Sequence, residues 1–328
     1  MTDSQSAETA DIADAGAASK PRPTGEAVSL TCRDGVVLHG HFWPAHGSAV
    51  ASIIINPATG VLARYYHYYA DFLSREGFDV LTYDYRGIGL SRPATLKGCG
   101  YRWREWGEQD FDSALRHMDL ARPDQPLHVV GHSIGGYLPG LSPKAERIDR
   151  MLTMGAQYAY WPDYAAGHRM RLFLKWHVTM PALTALLGFF PGKRLGWLED
   201  LPAGVANEWS FRRARMELTH PATERSDVIK RFDAVKAAIL AVAVEDDDIG
   251  TPAAIQRTLG YYRNAAVDQV LLSPAHYGLR EIGHFSLFHS RHSDGFWRDT
   301  LCWLRDGVNP WDNSEATSLA HRNCAISM

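Results

Sequence analysis

Cysteine is scarce in this chain and follows no pattern. Cys32, Cys99, Cys302 and Cys324 are far apart and form no CxxC pair, which speaks against a disulfide framework or a structural zinc site. Charge of one sign is missing too. The 34 Lys and Arg against 37 Asp and Glu leave a formal charge of −3, and no basic stripe suggests a nucleic-acid or anionic-membrane partner. Long apolar runs are absent as well. The longest, residues 177–190, is broken by Pro181 and Gly188 and is too short to span a bilayer, so no integral membrane segment is expected. The first residues show no basic start followed by an apolar stretch, so no secretion signal is read and a cytoplasmic protein is the expectation.

What is present is a globular composition, 45% hydrophobic over 328 residues, enough for one large α/β domain or two smaller ones. Residues 1–25 hold almost no large apolar side chain and read as a disordered tail; residues 309–328 read as a second tail. Asp34-Gly35 marks a hairpin between two strands. Short, nearly continuous apolar runs follow: ASIIIN (51–56), DVLTYD (79–84), LHVVG (127–131), RMLTMG (150–155), AILAVAV (238–244) and DQVLLS (268–273). Such runs suit parallel strands buried on both faces. Helical patterns at 63–77, 108–121, 251–262 and 294–307 lie between or after them. The alternation predicts a mostly parallel, doubly wound sheet of about eight strands with an antiparallel leading hairpin. Residues 158–228 break the rhythm with a helical, proline-punctuated, aromatic stretch. The expected division is a core of 26–157 and 229–308 with an inserted helical cap of 158–228.

The stretch VVGHSIGGYL contains Gly131-His132-Ser133-Ile134-Gly135, a G-x-S-x-G after a buried strand. That context predicts a sharp strand-to-helix turn that lifts Ser133 above the sheet as a nucleophile. A serine hydroxyl needs a base, and the base an orienting acid. Both occur further along, at strand ends. REIGHFSLF supplies His284, and AVAVEDDDIGTP supplies Asp247, followed two residues on by Ile249. Asp248 is an alternative acid, and Asp163 a more distant one. His276, His289 and His292 are rivals to His284 that read better as loop and helix-surface residues. His132 reads as a packed or hydrogen-bonded side chain. The acidic run lacks the spaced ligands and glycine of a calcium loop, and the histidines have no familiar zinc spacing, so neither metal nor cofactor is expected. The Ile134 amide is the first expected oxyanion donor. NPATG, after the strand ASIIIN, is where the second should lie, by position the amide of Ala58.

Together these motifs resemble the α/β-hydrolase fold serine hydrolases, over roughly residues 27–308. Asp84-Tyr85-Arg86-Gly87-Ile88-Gly89-Leu90-Ser91 looks like the family's D-x-R-G-x-G-x-S loop, in which the resemblance implies that Arg86 ties neighbouring loops together. NPATG, DYRGIG, GHSIGG, EDDDIGTP and IGHF look closest to a group of predicted bacterial hydrolases near the lysophospholipase and serine-aminopeptidase branch. Asn56-Pro57 departs from the His-Gly found in many members. The resemblance implies attack by Ser133 on an ester or thioester, with a carboxylesterase or lysophospholipase-like activity ahead of a peptidase, for which no acidic anchor for a substrate amine is apparent. The expected partner is a small acyl substrate, its acyl group apolar if the greasy side chains of the cap (Leu172, Leu174, Met180, Leu183, Leu186, Leu187, Phe189, Phe190) wall the site. Two alternatives stay open. An acyltransferase would use the same triad, and a non-catalytic ligand-binding protein would keep only the fold.

Overall fold

The computed structural model describes residues 23–312; most of the two expected tails lies outside them. Ten strands run in chain order as β1 (Glu26–Thr31), β2 (Val37–Trp43), β3 (Ala51–Asn56), β4 (Phe78–Tyr83), β5 (Leu127–His132), β6 (Arg150–Met154), β7 (Phe189–Phe190), β8 (Leu201–Pro202), β9 (Ala238–Val244) and β10 (Ala266–Leu272). Eight of them form one sheet in the order β1-β2-β4-β3-β5-β6-β9-β10. The β1–β2 and β2–β4 pairs are antiparallel and every other pair is parallel, the expected doubly wound sheet with a leading hairpin.

β3, β4 and β5 are buried at every residue, because helices cover both faces of the sheet. Two apolar layers result. Ile54, Leu81 and Val129 face one, with Phe111, Leu115 and Met118; Ile53, Ile55, Val80 and Val130 face the other, with Tyr69, Leu73 and Trp297. The alternation within a single strand divides its side chains between the layers.

Three local expectations are corrected. β10 is not buried on both faces. It is the sheet's edge, and only Leu272 of its seven residues is buried. The stretch after Ser133 is not a regular α-helix but two short 3₁₀ turns, Ser133–Gly136 and Leu138–Leu141; Gly135, Gly136, Pro139 and Gly140 are poor α-helix formers. Between β6 and β9 the chain is mainly helical, but it also carries the antiparallel pair β7–β8, two residues long on each side and too short to leave a periodic signal.

The stretch between β6 and β9 is hydrogen-bonded to the ends of the sheet strands. The Glu199 amide donates to the Gly60 carbonyl at 2.9 Å, just past β3. The Ala165 amide donates to the Asp248 carbonyl at 2.9 Å, and the Thr251 hydroxyl to the Asp163 carbonyl at 2.6 Å, just past β9. Its apolar residues divide between two environments. Leu172, Met180 and Phe190 are buried in the main core, whereas Leu174, Leu186 and Leu187 are exposed.

Candidate active site

β5 runs straight into Ser133, whose φ is +54°. A non-glycine residue in the left-handed region is strained by about 1–2 kcal/mol, and its neighbours show what enforces the turn. A Cβ on Gly131 would lie 2.5 Å from the Gly136 Cα, and one on Gly135 would be driven into the Asn56 carbonyl. The two flanking glycines are therefore needed for backbone contact. Asn56 explains its own place at the end of β3. Its Nδ2 donates to the Gly135 carbonyl at 3.2 Å, and its Oδ1 accepts from the Tyr83 hydroxyl at 2.8 Å, so the side chain fastens the β3 end to the serine turn.

Asp247 and His284 meet. Asp247 Oδ2 accepts from His284 Nδ1 at 2.7 Å, and Oδ1 accepts from the amides of Ile249 at 2.8 Å and Gly250 at 2.7 Å. Burial acts to raise the Asp247 pKa, but the adjoining His284 and the two amides outweigh it and hold the carboxyl below its usual value. With an acceptor-only carboxylate on Nδ1, the neutral imidazole carries its proton there and leaves Nε2 without one. The competing acids are engaged elsewhere. Asp163 pairs with Arg257, and Asp248 with His168 and Arg171. Of the rival histidines, His276 packs edge-on to Tyr277 and His292 accepts from Arg291.

Supporting residues escape the motif. Asp246, which no motif singles out, accepts from the amides of Ile282 at 2.8 Å and Gly283 at 3.0 Å and so braces the loop before His284. Gly155 and Gly250 make room for the acid, since a Cβ on either would press on Asp247 Oδ2 at 2.9 and 2.6 Å. Arg86, buried, reaches Asp34 and Asp110 at 2.6 Å each, linking the first hairpin turn to the helical stretch before β5.

His132 is hydrogen-bonded on both ring nitrogens. Nε2 lies 2.8 Å from the His284 carbonyl, which can only accept, so Nε2 carries the proton. Nδ1 is then the acceptor for the Tyr66 hydroxyl at 2.8 Å. Burial, with the neighbouring His284 as a second cause, pushes the His132 pKa down to about 3, so the ring stays neutral. Tyr65 adds a bond from its hydroxyl to the Phe285 carbonyl at 2.7 Å.

Two features differ from the expected triad and oxyanion hole. The Ala58 amide, the expected second donor, already donates to the Tyr66 hydroxyl at 3.0 Å; a loop position named from sequence does not reveal that a tyrosine eight residues later folds back onto it. Among the described residues, Ser133 Oγ is bonded not to His284 but to Gln157, whose Nε2 donates at 3.2 Å. Catalytic hydrogen bonds often close only once substrate is bound. Gln157 lies just beyond β6, where no motif marked it. No group of His, Cys, Asp and Glu among the described residues is arranged to hold a metal ion, and no described helix is long and apolar enough to cross a membrane.

The family model described as "Serine aminopeptidase, S33" matches residues 47–264. That span includes Ser133 and Asp247 and stops short of His284. No curated protein matches the sequence. Among solved structures, an esterase of Pyrococcus furiosus aligns with a TM-score of 0.52 at 15% identity, over 85% of this chain and 93% of its own. A monoacylglycerol lipase of Paleococcus ferrophilus aligns at 0.52 and 14%, over 83% and 99%. DcsB, solved with a substrate analogue, aligns at 0.56 and 15%, over 86% and 99%. At such identities these likenesses speak for the fold.

Proposed function

The chain belongs to the serine aminopeptidase family of α/β hydrolases, and from that premise we propose that it cleaves esters or thioesters through an acyl-enzyme on Ser133. The observation that carries this reading is the Asp247–His284 pair at 2.7 Å, tied through the His284 carbonyl to the residue preceding a serine held at φ +54°. His284 Nε2 takes the Ser133 proton as Oγ bonds the acyl carbon, then returns it to the departing alcohol or thiol. Water, deprotonated by the same nitrogen, releases the acid. Asp247 holds the imidazole in the tautomer this needs and stabilises the imidazolium.

The Ile134 amide is the oxyanion donor we place first. Ala58 joins it when a forming oxyanion displaces the Tyr66 hydroxyl from its amide, an exchange of a neutral acceptor for a charged one. We assign 158–228 as a cap over the site, because Leu198 sits where a side chain on Gly60 would go, against the loop that carries Ala58. The substrate class we propose, a small-molecule ester or thioester in a carboxylesterase or lysophospholipase-like reaction, rests on the family and on the Ser133 turn.

The test is a panel of p-nitrophenyl esters and acyl thioesters of graded chain length. Turnover by the wild type that is lost in both Ser133→Ala and His284→Ala supports the reading. No turnover of any member, or turnover that survives Ser133→Ala, overturns it.

A further inference from the structure

We propose that Gln157 is a further catalytic residue, whose carboxamide N–H stabilises the negative charge that passes through Ser133 Oγ. The proposal rests on the nucleophile assignment made above.

The orientation of the carboxamide is fixed. The Ala159 amide donates to Gln157 Oε1, and an N–H can bond only the oxygen of that group. Nε2 therefore faces Ser133, and because Nε2 has no acceptor capacity, Oγ is the acceptor in the 3.2 Å bond. Gln157 leaves the Ser133 proton unclaimed. The group able to take it is His284 Nε2, bare because Nδ1–H is held by Asp247. The carboxamide marks the oxygen without competing for its proton.

The stretch around Gln157 is built to hold this arrangement. Ala159 itself sits at φ +61°, a left-handed conformation that a non-glycine residue adopts at a cost, directly after the amide that bonds Gln157. The Tyr158 hydroxyl donates to the Ala214 carbonyl at 2.6 Å, anchoring the intervening residue to the insertion. Gln157 is 4% exposed and Ser133 5%, so water competes little for the bond and a charge on Oγ is felt strongly there.

The chemistry gives the bond its direction. In acylation, the Oγ–H bond breaks toward His284 while the Oγ–carbon bond forms and the carbonyl π pair moves onto oxygen. In deacylation, water loses a proton to His284 and bonds the acyl carbon. The carbon–Oγ bond then breaks, and Oγ takes that proton back. In each step Oγ is more negative at the transition state than as a hydroxyl or an ester oxygen. A donor to it binds the transition state more tightly than the ground state and so raises rate rather than affinity.

The test uses full-length protein with Gln157→Met, which keeps bulk and removes the donor, and Gln157→Glu, which keeps the Ala159 acceptor and puts a carboxylate against Oγ. The fluorophosphonate labelling rate of Ser133 and the kcat and KM of an activated ester are followed from pH 5 to 9. Gln157→Met is expected to label and turn over about tenfold to a hundredfold more slowly, at or below the loss of one oxyanion donor, with KM within about threefold. Gln157→Glu is expected to shift the rising limb of the pH profile to higher pH, because its carboxylate accepts the serine proton in competition with His284 and favours the imidazolium. Wild-type rates and an unshifted profile in both variants overturn the role of Gln157 and leave the nucleophile in place. A wild type that never labels at Ser133 overturns the nucleophile assignment first.

Discussion

The Tyr66 hydroxyl stands between two buried groups, accepting from the Ala58 amide at 3.0 Å and donating to His132 Nδ1 at 2.8 Å. It links the loop after β3 to β5, which ends at His132 just before Ser133, and through His132 to the His284 loop. Tyr66→Phe leaves a buried donor and a buried acceptor unpaired. The expected result is a loss of about 1–3 kcal/mol per group in urea unfolding, with an unchanged m-value. Full stability in the variant would mean that the chain of bonds does not hold these loops.

Asp247→Asn tests the acid. An asparagine nitrogen facing His284 would favour the tautomer with its proton on the wrong nitrogen, and the expected fall in kcat is about 10³–10⁴ with the fold intact. Asp248→Asn removes a partner of His168 and Arg171 and is expected to stay within about threefold of wild type. The reverse ranking would move the triad acid to Asp248.

Strain at Ser133 has its own signature. Both Ser133→Ala and Ser133→Gly abolish the nucleophile, but only glycine relaxes at φ +54°. Relief of that strain in the folded state is expected to outweigh the extra freedom glycine gives the unfolded chain. Ser133→Gly is therefore expected to be more stable than Ser133→Ala by about 1 kcal/mol, read as a higher thermal midpoint. Equal midpoints would mean the turn is unstrained.

Most of the fold was legible because β3, β4, β5 and β9 are buried nearly throughout, so their apolar runs had no competing explanation. β10 carries a similar run on an exposed edge, and composition alone does not tell the two apart. The proposed nucleophile and its partners could be named because Ser133, Asp247 and His284 each follow a strand in the order that the resemblance implies. The surrounding support was not. Asp246 looks in sequence like its acidic neighbours, and only the returning loop at Ile282 and Gly283 gives it a task. Tyr66 sits in a run of five aromatic or imidazole side chains, residues 65–69, and only the fold singles it out. Gln157 is singled out only by its bonds to Ser133 and Ala159, which the fold brings together.

Acid is expected to unfold the protein through its buried histidines. Burial lowers His132 and His220 to about 3, and His128 and His292 to about 4, against about 6.5 in the unfolded chain. These rings contribute stability that is complete above pH 6.5 and is lost as pH falls toward their folded values, since the unfolded state takes up protons first. Asp84 and Asp110, each raised by burial to about 6, work in the opposite direction between about pH 6 and 4. On the order of two protons should be taken up on unfolding near pH 5, a loss of about 3 kcal/mol per pH unit. Urea titrations at pH 7, 6 and 5 measure this, and a flat stability across that range would contradict it.

Activation of Ser133 by His284 is the step on which the proposed chemistry depends. Intact-mass analysis and peptide mapping after fluorophosphonate treatment of the wild type, Ser133→Ala and His284→Ala measure it. One adduct, on Ser133 and formed only when His284 is present, is the expected result. An adduct on another residue, or none on a folded protein, would contradict it.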